Sequence, residues 1–235
     1  MAASEVLGCR RVSLRARGNL RACAAAAVAM LVAGAAVVFV PQWRLERLNR
    51  NESIAISRLK WLWSAQDHMK AVRAWDPGAT GVGGFGFFSD LRGEPSRSHA
   101  VLQWGANVPP LERDFVVDER GFVHRDGYVF ALFLPAKDGG WATERDAANG
   151  RAIDEAKARE LWVCYAWPED AGSTGRRVFM IHQSGDLVAH GNGDLKYGGE
   201  SMPTPGASGF VANEHGANLV VNAIDCVGDL WWIVG

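Results

Sequence analysis

Three textures of apolar and polar residues follow one another along this chain of 235 residues. The first is the uncharged run ACAAAAVAMLVAGAAVVFV at 22–40. Its length, at about 1.5 Å per residue, just spans a hydrocarbon core and predicts a transmembrane helix. The second texture is helical and amphipathic. Leu45, Leu48, Ala55, Leu59, Leu62, Ala65, Met69 and Val72 recur mostly three or four apart, with Glu46, Arg47, Arg50, Glu52, Arg58, Lys60 and Lys70 between them. Asp76-Pro77-Gly78 is a stop signal, so a helix is predicted over 41–76, with Pro41 a point of bending. The third texture is strand-like, with short apolar stretches at 115–117, 127–134, 161–167, 176–183, 187–190, 219–224 and 230–234. Ser184-Gly185-Asp186 reads as a hairpin turn, and a short helix is expected within 146–160.

These textures predict an α+β chain in which one long helix packs on an antiparallel sheet of four or five strands. One apolar sheet face requires such a cover. The expected parts are a basic tail at 1–21, a transmembrane helix at 22–40 and an α+β domain at 41–235. That domain divides into the helix at 41–76, a Gly-rich connection at 77–114, and sheet and loops at 115–235.

Charge sets the topology. Arg10, Arg11, Arg15, Arg17 and Arg21 precede the apolar run and outnumber Arg44, Arg47 and Arg50 after it. A basic flank stays in the cytoplasm, so the N-terminus is expected there and the α+β domain in the periplasm. A cleaved signal peptide, with Ala33-Gly34-Ala35 as its exit, is the competing reading, but VVFV carries the apolar run past that point. A net charge of −1 with no concentrated basic stretch in the ectodomain argues against nucleic acid as a partner.

Within the helical segment, NRNESIAISRLKWLWSAQDHMKAV resembles the helix of pilins and type II secretion pseudopilins. There an Asn-Glu-x-x-Ala-Ile run leads to an Ala-Gln pair, here Asn51-Glu52 and Ala65-Gln66. GYVFALFLP and CYAWPEDAGSTGRRVFMIHQSGDLVAHG resemble the sheet of the same proteins, and a bacterial family of unknown function with a C-terminal pilin-like module shows a similar order. The resemblance implies a bacterial inner-membrane protein that acts in assembly and not in catalysis. Its implied partners are pilin-like or secretion-system subunits of a type II secretion or type IV pilus-like machine. One departure stands out: a prepilin processing site has a small residue, then an aromatic and a fifth-position glutamate, and in RARGNLRACAAAA no glutamate follows any candidate glycine. A pilin-like ectodomain on an ordinary anchor therefore fits better than a filament subunit.

Candidate chemistry is sparse. Gly81, Gly83 and Gly86 match G-x-G-x-x-G but follow a helix where a dinucleotide site needs a strand. Ser57 and Lys60 form S-x-x-K without its companion motifs. His68, His99, His124, His182, His190 and His215 show no tight ligand spacing, although His182 and His190 flank the predicted hairpin. Major pseudopilins hold calcium in a late loop, and the resemblance points to Asp186, Asn192, Asp194 and Glu200 as its oxygen donors. A solvated polar loop is the simpler reading of those four. Cys164 and Cys226 would share an oxidising compartment, where a disulfide and two core thiols are both open. The alternative function is a secreted or anchored binding module in which exposed aromatics, Trp141 or Trp231-Trp232, hold a glycan or peptide.

Overall fold

The computed structural model describes residues 28, 30, 34, 42–76, 80–94, 102–104, 110–112, 114–205, 208–209, 223–225 and 227–234. The chain divides into two compact units, Met1–Glu46 and Arg47–Gly235. The span expected at 22–40 lies outside the described residues except for positions 28, 30 and 34, which are helical. Among the described residues no helix is long and apolar enough to cross a membrane.

Helix α1 occupies 42–71, a stretch without glycine or proline. Leu48, Ala55, Leu59, Leu62, Ala65 and Met69 form its buried stripe, as the periodicity predicts. It ends five residues before the expected stop at 76. Arg73 takes a left-handed φ of 55°, Ala74 N–H returns to Met69 O at 3.1 Å and Arg73 N–H to Lys70 O at 3.1 Å. This closure satisfies the last carbonyls before the proline is reached. The connection expected to lack structure contains α2, Phe88–Leu91, whose Phe88 and Leu91 are wholly buried.

The sheet is larger than expected. Eight strands occur among the described residues, against the four or five predicted. They are β1 (Phe122–Arg125), β2 (Tyr128–Pro135), β3 (Trp141–Ala142), β4 (Val163–Pro168), β5 (Val178–His182), β6 (Leu187–His190), β7 (Ala223–Ile224) and β8 (Leu230–Ile233). Seven run in the order β1-β2-β4-β5-β6-β8-β7, every neighbouring pair antiparallel, and β3 pairs with the end of β2. β1 owes its existence to the Asp126-Gly127 turn. Both residues have positive φ, 53° and 78°, the mirror-image geometry that suits a two-residue hairpin, and Arg125 pairs with Tyr128 across it. The apolar stretch at 115–117 is not a strand, and Phe115 instead plugs the space beside α1. The helix expected within 146–160 divides into α3 (Glu144–Ala148), capped by Thr143, and a 3-10 turn at Lys157–Arg159.

The sheet is buried on both faces. Phe130, Leu132, Leu134, Cys164, Ala166, Phe179 and Ile181 belong to the core that includes the α1 stripe. Val129, Ala131, Phe133, Val163, Tyr165, Trp167, Met180 and Val188 form a second core with Tyr197 and Trp231. All eight residues of β2 are buried, as are all of β4 and β5. This two-sided burial corrects the expectation of one apolar face and explains the unbroken hydrophobic run YVFALFLP.

Candidate functional site

The polar residues of α1 that carry the resemblance sit in the seam between helix and sheet, and each holds backbone. Glu52, 5% exposed, accepts from Arg176 N–H at 3.0 Å, Arg177 N–H at 3.3 Å and Arg177 Nε at 2.8 Å. Asn51 Nδ2 donates to Thr174 O at 2.8 Å. Gln66, fully buried, pairs with Gly86 like a neighbouring strand, donating to its carbonyl at 2.7 Å and accepting from its N–H at 3.0 Å. A Cβ on Gly86 would stand 2.7 Å from Asp90 Cβ and 2.8 Å from the end of the Met69 side chain, so a larger residue here would force its neighbours to shift. Trp63 Nε1 adds a bond to Gln183 O at 3.3 Å, beside the β5–β6 turn. These side chains give their hydrogen bonds to backbone groups and to the Arg177 guanidinium.

The outward face of α1 presents a groove of about 590 Å³ lined by Arg50, Ser53, Ile54, Ser57, Arg58, Trp61 and Glu112. Ser53 and Ser57 turn their hydroxyls back onto Asn49 O and Ser53 O, both at 2.9 Å. Between Ile54 and Trp61 the two serine hydroxyls are thus turned onto the helix backbone. Arg58 closes one end, paired with Glu112 at 3.4 Å and Asp126 at 3.7 Å and lying over the rings of Trp61 and Phe115. Ser57 Oγ thus spends its proton on a carbonyl, which is not the arrangement of an S-x-x-K nucleophile.

A second polar cluster, not foreseen from the sequence, fastens the segment over the far face of the sheet. Asp229 accepts both from Lys196 Nζ, at 2.9 Å to each oxygen, and from the Tyr197 hydroxyl. Asp225 accepts from Gly209 N–H, Val227 N–H, Asp229 N–H and Trp231 Nε1 at 2.7 to 2.9 Å. Tyr165 and Trp167 reach out of the sheet to Ser208 O at 2.7 Å and Gly199 O at 2.8 Å. Burial pushes the Asp229 carboxyl up, but the Tyr197 and Lys196 hydrogen bonds outweigh it and hold the group below the usual aspartate range. Burial and the neighbouring Asp229 push the Tyr197 phenol up. Both directions stabilise the bonded pair as carboxylate and phenol.

The structure does not gather the four residues expected to hold calcium. Asp186 precedes β6 and Asn192 follows it, so the strand Leu187–His190 lies between them. The Asn192 amide is spent on the Tyr197 backbone, at 2.8 and 2.9 Å. Asp194 accepts from Lys196 N–H at 3.3 Å, and Glu200 lies 3.7 Å from Arg120. Among the described residues no group of three or more His, Cys, Asp or Glu is placed to hold a metal ion. His182 and His190 do not meet across the hairpin: His190 pairs with Val178, at the opposite end of β5 from His182. Burial pushes the His182 imidazole down. His124 bridges Asp118 at 3.1 Å and Glu169 at 2.9 Å, and His68 stacks on Trp104. His99, His215 and Cys226 lie outside the described residues, and Cys164 is buried on β4. Of the tryptophans considered for a glycan or peptide, Trp231 is wholly buried and Trp141 and Trp232 are half-buried.

Comparison with protein-family models, with curated proteins and with solved structures finds no significant match to this chain.

Proposed function

We propose that this protein is a pilin-like structural component of the bacterial inner membrane, held by its apolar 22–40 segment with the N-terminus in the cytoplasm and the α+β domain in the periplasm. It acts by contact and performs no catalysis. Its partners are other pilin-like or secretion-system subunits of a type II secretion or type IV pilus-like assembly, and the outward face of α1 is the surface that meets them. The observation that carries this reading is the seam. Of the positions that match the pilin pattern, Asn51 and Glu52 bind α1 to the β4–β5 loop of the sheet, and Gln66 binds it to Gly86 in the connection before α2. Such a seam makes α1 the spine of the domain and commits its other face to solvent or to a partner.

The test is a photoreactive amino acid at Ser53 or Ser57, introduced in the native host. Cross-links to another membrane-anchored subunit are expected from these positions and not from the exposed Lys137 on the opposite part of the chain. Cross-linking no greater than at Lys137, in a chain that is folded and present in the membrane, would reject the interface. An alkaline phosphatase reporter fused after residue 235 should be active, and inactivity would reject the topology.

A further inference from the structure

The groove on the outward face of α1 carries opposite charges at its two ends. At one stands Arg50, exposed and without an ion-pair partner among the described residues. At the other stands Glu112, 3.4 Å from Arg58 and 3.4 Å from Arg125. Both guanidiniums are shared with further carboxylates, Asp126 for the two of them and Asp114 for Arg125. Glu112 keeps 52% of its side chain exposed, against 22% for Arg58 and 21% for Arg125. Among the described residues, the charge turned to solvent at this end is therefore the carboxylate's. Arg58 follows Arg50 by eight positions, so about 12 Å of helix separates the two ends.

Ile54 and Trp61, both half-buried, form the apolar lining. Trp61 is held edge-on to Phe115 at a centroid distance of 6.0 Å and lies 5.9 Å under the Arg58 guanidinium. Ser53 and Ser57 are short and keep their hydroxyls on the helix backbone, which lets a second backbone come close. A fixed aromatic beside small residues suits an incoming amphipathic helix. The unlike charges at the ends decide which helix is accepted.

Resting on the reading that α1 meets another membrane-anchored subunit, we infer that this partner is a different chain and not a second copy. It docks an amphipathic helix that sets a carboxylate against Arg50, apolar side chains against Ile54 and Trp61, and no carboxylate against Glu112. Two copies anchored at the same depth in one membrane and laid groove to groove would set Arg50 against Arg50 and Glu112 against Glu112. Like charges facing each other across an interface discriminate against that pairing. A helix with a carboxylate at the level of Arg50 meets no such repulsion and supplies the one cation of the groove that lacks a partner.

A photoreactive amino acid at Ser57 of the full chain, in the native host beside a second copy bearing a different tag, tests the partner. The main product is expected to join the chain to a membrane-anchored protein other than itself. Its cross-linked peptide should carry an Asp or Glu about seven positions from the linked residue, the interval from Ser57 to Arg50. Arg50→Glu should lower the yield by about tenfold, and Arg50→Lys by less than about twofold. The Arg50 side chain bonds to no described residue, so both variants keep the fold. A main product that joins the two tagged copies overturns the inference. So does an undiminished yield in Arg50→Glu, or an equal loss in Arg50→Lys. The absence of any product from the wild-type chain rejects the interface itself and this inference with it, whereas an undiminished yield in Arg50→Glu leaves the interface standing.

Discussion

Replacing Glu52 by alanine strips the seam of the one carboxylate that two backbone N–H groups and the Arg177 guanidinium share. Removing one side of a buried ion pair costs about 3–5 kcal/mol, because the partner is left charged without compensation. Arg177 keeps 35% of its side chain exposed, so water relieves part of that charge. The lower end of the range, about 3 kcal/mol, is therefore expected. Glu52→Gln keeps an oxygen for the backbone donors and loses only the charge, for about 1 kcal/mol. Ser53→Ala, one position along and bonded only within its own helix, should stay within about 0.5 kcal/mol. In urea, with a slope of about 2 kcal/mol per molar, these losses lower the unfolding midpoint by about 1.5 M, 0.5 M and at most 0.25 M. A Glu52→Ala midpoint no lower than that of Ser53→Ala would refute the claim that the seam holds helix to sheet.

Two further outcomes follow from the same bonds. Gln66→Leu leaves the buried N–H and carbonyl of Gly86 without partners and should cost about 2–4 kcal/mol, read as a drop in melting temperature. A loss under about 0.5 kcal/mol would mean that water replaces the amide. The Asp229 carboxyl, held low by Tyr197 and Lys196, stabilises the fold above the ordinary aspartate value, and that contribution is lost as pH falls through the lower folded value. The urea midpoint of the wild-type chain should therefore decline more steeply below about pH 4 than that of Asp229→Asn, and parallel declines would contradict it.

Much of this architecture is legible in the residue pattern. The α1 stripe is visible because Leu48, Ala55, Leu59, Leu62, Ala65 and Met69 share one helical face, and β6 was expected at the four positions it occupies. The Asp126-Gly127 pair marks the start of β2 in local chemistry alone. What escapes is short or depends on distant partners. β1 is half polar, and β3 has two residues that pair only because β2 continues beside them. The helix ends at 71 because backbone closes it, a choice made without side-chain signal. The seam residues were conspicuous as a motif, but their task depends on Arg177, 125 positions away, and Gly86. Asp225 and Asp229 went unnoticed because nothing near them in the chain announces Tyr197, Lys196 or Gly209. For the calcium candidates the opposite holds: closeness in sequence conceals that β6 stands between Asp186 and Asn192.

The two cores also bear on how the strands choose their alignment. In a sheet with one wet side, sliding a strand by one residue throws its greasy side chains into water, and solvent itself polices the error. Here a slipped β2, β4 or β5 would merely exchange one dry compartment for the other, so water contributes little to the choice. Discrimination falls to the few polar tips anchored in those strands: the Tyr128 hydroxyl on Arg177 O, the Tyr165 hydroxyl on Ser208 O and the Trp167 indole on Gly199 O. Each works like a tooth on a key: a misaligned β2 would leave the first with nothing to grip, and a misaligned β4 the other two.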